Sequence, residues 1–347
     1  MFLPSEQIIE FFPEYRSTQI AWQGLTPIAA WAIIDLKPRR VVELGSYRGD
    51  SFFSFLQAAQ SVSELEDLVA VDTWEGDQHT GAYVEDVHKQ FHDELASRND
   101  PRARSIRDYF VNAAQQFDAN TIDLLHIDGA HDYASVREDF ETWLPKMAAD
   151  GVVLFHDTMV RTDGFGVWQF WEELEQEYPG RCFNFTHSNG LGVLCLGTST
   201  TGEIRKLCDL DPVDAGVLRD VMTLAGEQVT KSTTFEAKLI TRNGGKIGNE
   251  HVFARGAQRV ALEAARGIEA QFGLDQVEVH MDQRIDQKMN YRVEQLVHDQ
   301  TDDLFAALKP QLDEHARIVA DARFELLRKE HIGVAATLKK VLKGNKG

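Results

Sequence analysis

This 347-residue sequence predicts an α/β fold: a doubly wound, mostly parallel sheet followed by a C-terminal helical region. Three features lead there. Short apolar runs alternate with amphipathic stretches from about residue 40 to 197, as in a parallel sheet covered by helices. Several of those runs end abruptly in a carboxylate, and near residue 200 the chain turns polar and helix-rich.

RVVEL (40–44), DLVAVD (67–72), TIDLLHID (121–128) and GVVLFHD (151–157) read as strands, being apolar and too short for helices. CFNFTH (182–187) and LGVLCLG (191–197) flank Asn189-Gly190, a strong hairpin signal, so a terminal antiparallel hairpin is expected. Between the strands, SFFSFLQAAQ (51–60), VREDFETWLPKM (136–147) and VWQFWEELEQEY (167–178) predict covering helices. Residues 1–37 are expected to form a helical cap carrying Phe11, Phe12, Trp22 and Trp31, packed on a core domain at 38–200.

Beyond it, 201–280 reads as a mainly helical linker region, broken by the loop NGGKIGNE (243–250). In 281–347 the apolar residues Met281, Ile285, Met289, Val293, Leu296, Leu304 and Leu308 recur three or four apart, or at a multiple of that. They fit one face of a long helix that Pro310 kinks or ends. Such a tail suits an appendage packed on itself or a coiled coil, and a homo-oligomer through the C-terminal helices is the expectation.

An apolar fraction of 43% permits a sizeable core, and the net charge of −19 argues against DNA-backbone or anionic-lipid partners. Cys182, Cys195 and Cys208 have neither metal-ligand nor redox spacing, which suits reduced thiols in a cytoplasm. The start, MFLPSEQIIEFFPEY, lacks a basic n-region, so no signal peptide is expected. Nowhere do about 18 apolar residues run together, so no membrane span is expected.

The chemistry concentrates at strand ends. In VVELGSYRGDS (41–51), Glu43, Gly45 and Gly49 stand where the first strand turns into a helix, and glycines there let a ligand approach the backbone. The spacing is not the G-x-G-x-x-G of dinucleotide folds, which argues against a nicotinamide dehydrogenase, and the preceding acid suits an amine-bearing ligand. Asp72 ends the next strand in VAVDTW, where an acid can accept from a ribose diol and Trp74 could flank a purine. Asp128 and the pair His156-Asp157 end two further strands; two carboxylates in one crevice need a proton or a cation between them. Oxygen-rich ligation with one imidazole suits Mg²⁺ or Mn²⁺. Asp157 also fits a turn cap, Asp132 a helix start, and His156 a core histidine, while Asp139 and Glu141 read as a solvated helix face.

With its E-x-G-x-x-x-G loop and the strand ending at Asp72, the chain resembles the class I S-adenosylmethionine-dependent methyltransferases over residues 38–197. The resemblance implies a Rossmann-like, mostly parallel seven-stranded sheet. It implies that Glu43, Gly45, Ser46 and Gly49 line the methionine end of S-adenosylmethionine. Asp72, with Thr73 and Trp74, would hold the ribose and base, and Asp108 and Asp128 complete the cofactor set. The strand-tip acids resemble those of metal-dependent O-methyltransferases, which implies a metal site of Asp128, His156 and Asp157. Thr158 stands where that group has asparagine, and His131 where its catalytic lysine stands, which makes His131 the expected base. HIDGAHDYASVREDFETWLPKMAADGVVLFHDT and DTWEGDQHTGAY are similar to the bacterial methyltransferase-24 branch, which adds Asp77 and His79 as substrate candidates.

The expected activity is methyl transfer to a hydroxyl of a small-molecule or glycan acceptor, sugars being the favoured class. Two alternatives stay open: a metal-containing hydroxylase of the cephalosporin type, which shares the fold, and a non-catalytic cofactor-binding module of a glycan-building complex.

Overall fold

The structure, a computed structural model, describes residues 2–77, 81–82, 87–162, 164–198 and 202–242. The loop 243–250, the tail at 281–347 and His79 lie outside the described residues. In chain order the elements are α1 (Glu6–Ile9), α2 (Thr26–Leu36), β1 (Arg40–Leu44), α3 (Asp50–Ala58), β2 (Asp67–Asp72), β3 (Gly76–Asp77) and β4 (Gly81–Ala82). There follow α4 (Val87–Arg98), β5 (Ala103–Arg107), α5 (Phe110–Ala113), β6 (Ile122–Ile127), α6 (Tyr133–Trp143) and β7 (Met147–His156). Then come α7 (Val167–Glu177), β8 (Cys182–Phe185), β9 (Leu191–Cys195), α8 (Glu203–Lys206) and α9 (Pro212–Arg242).

Seven strands form one sheet in the order β5-β2-β1-β6-β7-β9-β8. The first five run parallel and β9 and β8 close the sheet antiparallel, as the sequence predicts. The hairpin turns through Ser188, Asn189 and Gly190, all at positive φ. Strands β1, β2 and β6 are buried almost throughout, which explains why they read as continuous apolar runs rather than alternations. Alternate residues feed two cores. Val41, Leu124, Val152 and Leu154 pack with the cap, α2 and α3, while Val42, Leu125, Val153 and Phe155 pack with α6 and α7.

The strand of the seven-stranded sheet missing from the sequence-based assignment is β5, ARSIR. It lies at the sheet edge and is mostly polar, with Arg104 paired to Asp67, so no apolar run marks it. The cap also departs from expectation: residues 5–36 are not helical throughout. Only α1 and α2 are, with a short 3-10 turn at Gln23–Leu25. The intervening segment is held by side chains in place of a helical ladder, Gln57 accepting from Glu14 N at 2.6 Å and donating to Phe12 O at 3.0 Å.

The described residues fall within one compact unit. Helix α9 packs back on the cap so closely that a Cβ on Gly226 would sit 2.0 Å from Gly24 O, and Arg16 Nη1 donates to Thr233 Oγ1 at 2.9 Å. No described helix is long and apolar enough to cross a membrane.

Strand register then sets the site. Leu44 stands beside Val71 and Ile127, and Ile127 beside Phe155. The residues just past these positions, Gly45, Asp72, Asp128 and the His156-Asp157 pair, therefore emerge along one edge of the sheet, where open α/β folds bind ligands.

Candidate functional site

A cavity of about 540 Å³ lies over that edge, within the size range of small-molecule sites. Its floor is the loop after β1. Gly45, at φ 85°, is required by the chain itself: a Cβ there would lie 2.0 Å from Asp128 O. Gly49, at φ 90°, opens α3, and a Cβ there would strike Phe53 and Phe91. Asp72 ties the loop down. Its Oδ2 accepts from the amides of Ser46 at 3.0 Å and Tyr47 at 2.9 Å, and its Oδ1 from that of Trp74 at 2.7 Å. Burial pushes the Asp72 carboxyl up, against the pull of these amides. Oδ1, which accepts one bond, keeps a second lone pair for a ligand, and Asp72 and Thr73 both line the cavity.

Three predicted cofactor residues sit elsewhere than expected. Trp74 is turned inward, 4% exposed, with Nε1 donating to Tyr47 O and its ring on His88 and Phe91, so it does not face the cavity. Asp108 caps α5, accepting from Tyr109 N and Asn112 Nδ2, and is likewise absent from the wall. Glu43 is fully buried behind the wall. His126 Nε2 accepts from Trp22 Nε1 at 3.2 Å, so it is His126 Nδ1–H that donates to Glu43 Oε2 at 2.9 Å. Glu43 Oε1 and Ser46 Oγ are buried without hydrogen-bond partners, and Ser46 lines the cavity. An orphaned Ser46 hydroxyl on the wall of a glycine loop, with the Glu43 carboxylate buried behind it, fits an amine-bearing ligand such as the methionine part of S-adenosylmethionine.

Opposite the loop stand the acids. Asp157 has φ 63°, a left-handed backbone that Tyr47, Trp74 and Asn189 share around the site. One ligand atom from each of Asp128, His131 and Asp157 lies within 4.8 Å of the others. His131 Nδ1 is 3.0 Å from Asp157 Oδ2, and its ring stacks on Phe165 at 4.9 Å and 9°. Asp157 Oδ1 is buried and accepts no hydrogen bond. A compact set of two carboxylates and one imidazole, with an orphaned carboxylate oxygen, fits a divalent cation.

His156, predicted as the nitrogen ligand, is placed differently. Its Nε2 donates to Ser188 O at 3.2 Å, and its Nδ1 lies 2.9 Å from Asp128 Oδ1 and 3.4 Å from Asp157 Oδ1. Burial opposes charge on His156, but the two carboxylates and these bonds outweigh it and lift its pKa to about 9. Burial likewise opposes charge on Asp128, and His156 overrides it, drawing that carboxyl down to about 2. His156 is thus a buried cation bracing both acids, with both nitrogens committed. Thr158, in the position of the family's asparagine, is buried, and its hydroxyl accepts from the Asn184 side-chain amide at 2.8 Å, away from the cavity. Asp132 starts α6 as a cap, accepting from Ala134 N and Ser135 N. Asp77 pairs by its backbone with Gly81 in a short hairpin.

The N-terminal segment forms a further wall through Gln19, Ala21 and Trp22. Asp50, buried at the start of α3, anchors it by accepting from Ser17 N at 2.9 Å and Gln23 Nε2 at 3.0 Å.

The wall also contains Asp139, which the sequence places on a solvated face. Burial, with the charges of Glu138 and Asp132, raises its carboxyl to about 7 from an ordinary 3.8. Between those values the fold holds a proton that the unfolded chain has released, so stability falls as pH climbs through this window and stays lower above it. Asp139→Asn is therefore expected to raise the melting temperature at pH 8 and to leave it nearly unchanged at pH 4, read by thermal denaturation. An equal gain at both values would show that the carboxyl titrates as it does in water.

Residues 42–158 match the model of a family described as a methyltransferase domain. The uncharacterized protein y4gI of Sinorhizobium fredii is 38% identical over 228 residues, an alignment taking in 64% of this chain. The match spans 24% of that relative's length. Among solved structures, the SAH-bound methyltransferase PaMTH1 of Podospora anserina is 16% identical, with 49% of this chain and 76% of that chain covered and a TM-score of 0.38. The O-methyltransferase NovP is 15% identical, with 50% and 80% covered and a TM-score of 0.39.

Proposed function

We propose that this chain, whose residues 42–158 match a methyltransferase-domain family, is an S-adenosylmethionine-dependent methyltransferase that methylates a hydroxyl oxygen with the help of a divalent cation. The observation that supports this most directly is the meeting of Asp128, His131 and Asp157 on the wall of the cavity that the glycine loop floors. When bound, S-adenosylmethionine supplies a methyl group activated by its sulfonium, and Mg²⁺ or Mn²⁺ supplies the charge that acidifies a ligated hydroxyl.

The chain's own residues do the rest. Asp128, Asp157 and His131 would hold the cation, and His156 fixes both carboxylates from behind. Ser46 Oγ, on the cavity wall, is an acceptor available to the ammonium group, and Asp72 to the ribose diol, while Glu43 lies buried behind the loop. Trp22 and Phe165 shield the acceptor end from water, and their flat apolar surfaces suit a sugar face. Aligning acceptor oxygen and methyl in one cavity can supply about 7–11 kcal/mol of the barrier at best. A sugar or glycan hydroxyl is the proposed acceptor class.

The test is release of S-adenosylhomocysteine by the full chain with a panel of glycans, sugars and small phenols, in EDTA and in Mg²⁺. Activity should vanish in EDTA and return with the ion, while S-adenosylhomocysteine binding persists. Full turnover in excess EDTA would remove the cation.

That outcome would favour a second reading, for which the 3.0 Å contact of His131 Nδ1 with Asp157 Oδ2 speaks. An Nδ1–H held by a carboxylate puts the basic lone pair on Nε2, and His131 would then take the hydroxyl proton without a metal.

A further inference from the structure

We propose that the carboxyl of Asp139 recognises the exocyclic amine of the cofactor's purine; this rests on the S-adenosylmethionine reading above. The cavity has two apolar ends. At one, Phe165 stacks on His131, which assigns that end to the acceptor. At the other, Tyr109, Phe110 and Val111 line the wall, and Tyr109 and Val111 are 63% and 51% exposed, an apolar surface left open at the mouth. Asp72 is in register with Arg107 of β5, so a ribose on Asp72 directs its base toward the segment that follows β5, which is 109–111.

Asp139, on α6, faces the same place. A Cβ on Gly129 would lie 2.5 Å from Phe110 Cε2 and 3.2 Å from Asp139 Oδ2, so ring and carboxyl flank one stretch of bare backbone. The other acids around the cavity are engaged: Asp72 by three amides, Asp50 by Ser17 and Gln23, Asp128 by His156, and Asp157 by His131. Glu138 lines the wall but is solvent-exposed. Asp139 makes no hydrogen bond to a described residue, although burial favours its neutral form up to about pH 7. A half-buried, unpaired carboxyl beside an aromatic wall is complementary to a purine edge: it accepts from the amine and, when protonated, donates to the neighbouring ring nitrogen.

The test is calorimetric titration of the full chain with S-adenosylhomocysteine and with its 6-deamino purine-riboside analogue, in which hydrogen replaces the amine and the neighbouring ring nitrogen stays an acceptor. The wild type should prefer the adenosine compound about tenfold or more, the range for a hydrogen bond to an ionisable group. Asp139→Ala should erase that preference, while Asp139→Asn, which keeps an acceptor, should retain most of it. Equal affinity of the wild type for the two compounds would overturn the assignment without any variant, as would a preference that survives in Asp139→Ala. A wild type that binds neither compound would overturn the cofactor reading along with it.

Discussion

Asp128→Ala is expected to lose about 3 kcal/mol of folding stability, the low end of the range for stripping a buried ion of its partner. His156 is 5% exposed, donates through Nε2 to Ser188 O, and has its nearest counter-charge at Asp128 Oδ1, 2.9 Å away. Without that carboxylate the imidazolium keeps only Asp157 Oδ1 at 3.4 Å, so the loss is partly cushioned. Asp128→Asn should lose less, because an amide oxygen still accepts the Nδ1 proton. Urea unfolding of the full chain in EDTA measures both, with bound cation removed from the comparison. Unchanged stability in Asp128→Ala would mean that His156 is neutral in the folded protein, and the account of a cation bracing two acids would fall.

His131→Ala is expected to lower turnover by about 10²–10⁴-fold, the usual span for losing a positioned proton-transfer group. S-adenosylhomocysteine affinity should hardly move, because His131 stands at the acceptor end, against Phe165 and Asp157. The two readings of His131 predict different rescues. If it ligates the cation, raising the Mg²⁺ concentration restores part of the rate. If it is the base, raising the pH does so, since hydroxide replaces the missing acceptor. A variant with wild-type turnover would exclude both roles.

Much of this was legible in the chain. The buried parallel strands announced themselves because a strand covered on both faces is apolar throughout. The hairpin at Asn189-Gly190 was equally plain, for its φ requirement restricts which residues can stand there. The edge strand β5 was hidden by its own solvation, and the cap by backbone satisfied from Gln57, a residue more than forty positions away.

At the site, the acids were readable because Asp72, Asp128 and Asp157 each interrupt or follow an apolar run. Their partners were not. His156 directly precedes Asp157 yet turns toward the hairpin and Ser188, while His131, in another loop, reaches Asp157. Trp74 follows Asp72 closely, but a left-handed φ of 54° tucks its ring behind the loop. Asp139 shows only as a polar position on a helix until α6 docks against Gly129.

By itself, then, the sequence determined the layered sheet, the edge on which chemistry gathers and the acids that arrive there, because burial periodicity and strand ends are properties of neighbouring residues. Tertiary structure alone decided which imidazole joins Asp128 and Asp157, which braces them, and which acid lines the cavity without a hydrogen bond to a described residue. Those choices turn on contacts of about 3 Å between residues far apart in the chain, a distance at which a hydrogen bond is made or lost and which no local pattern encodes.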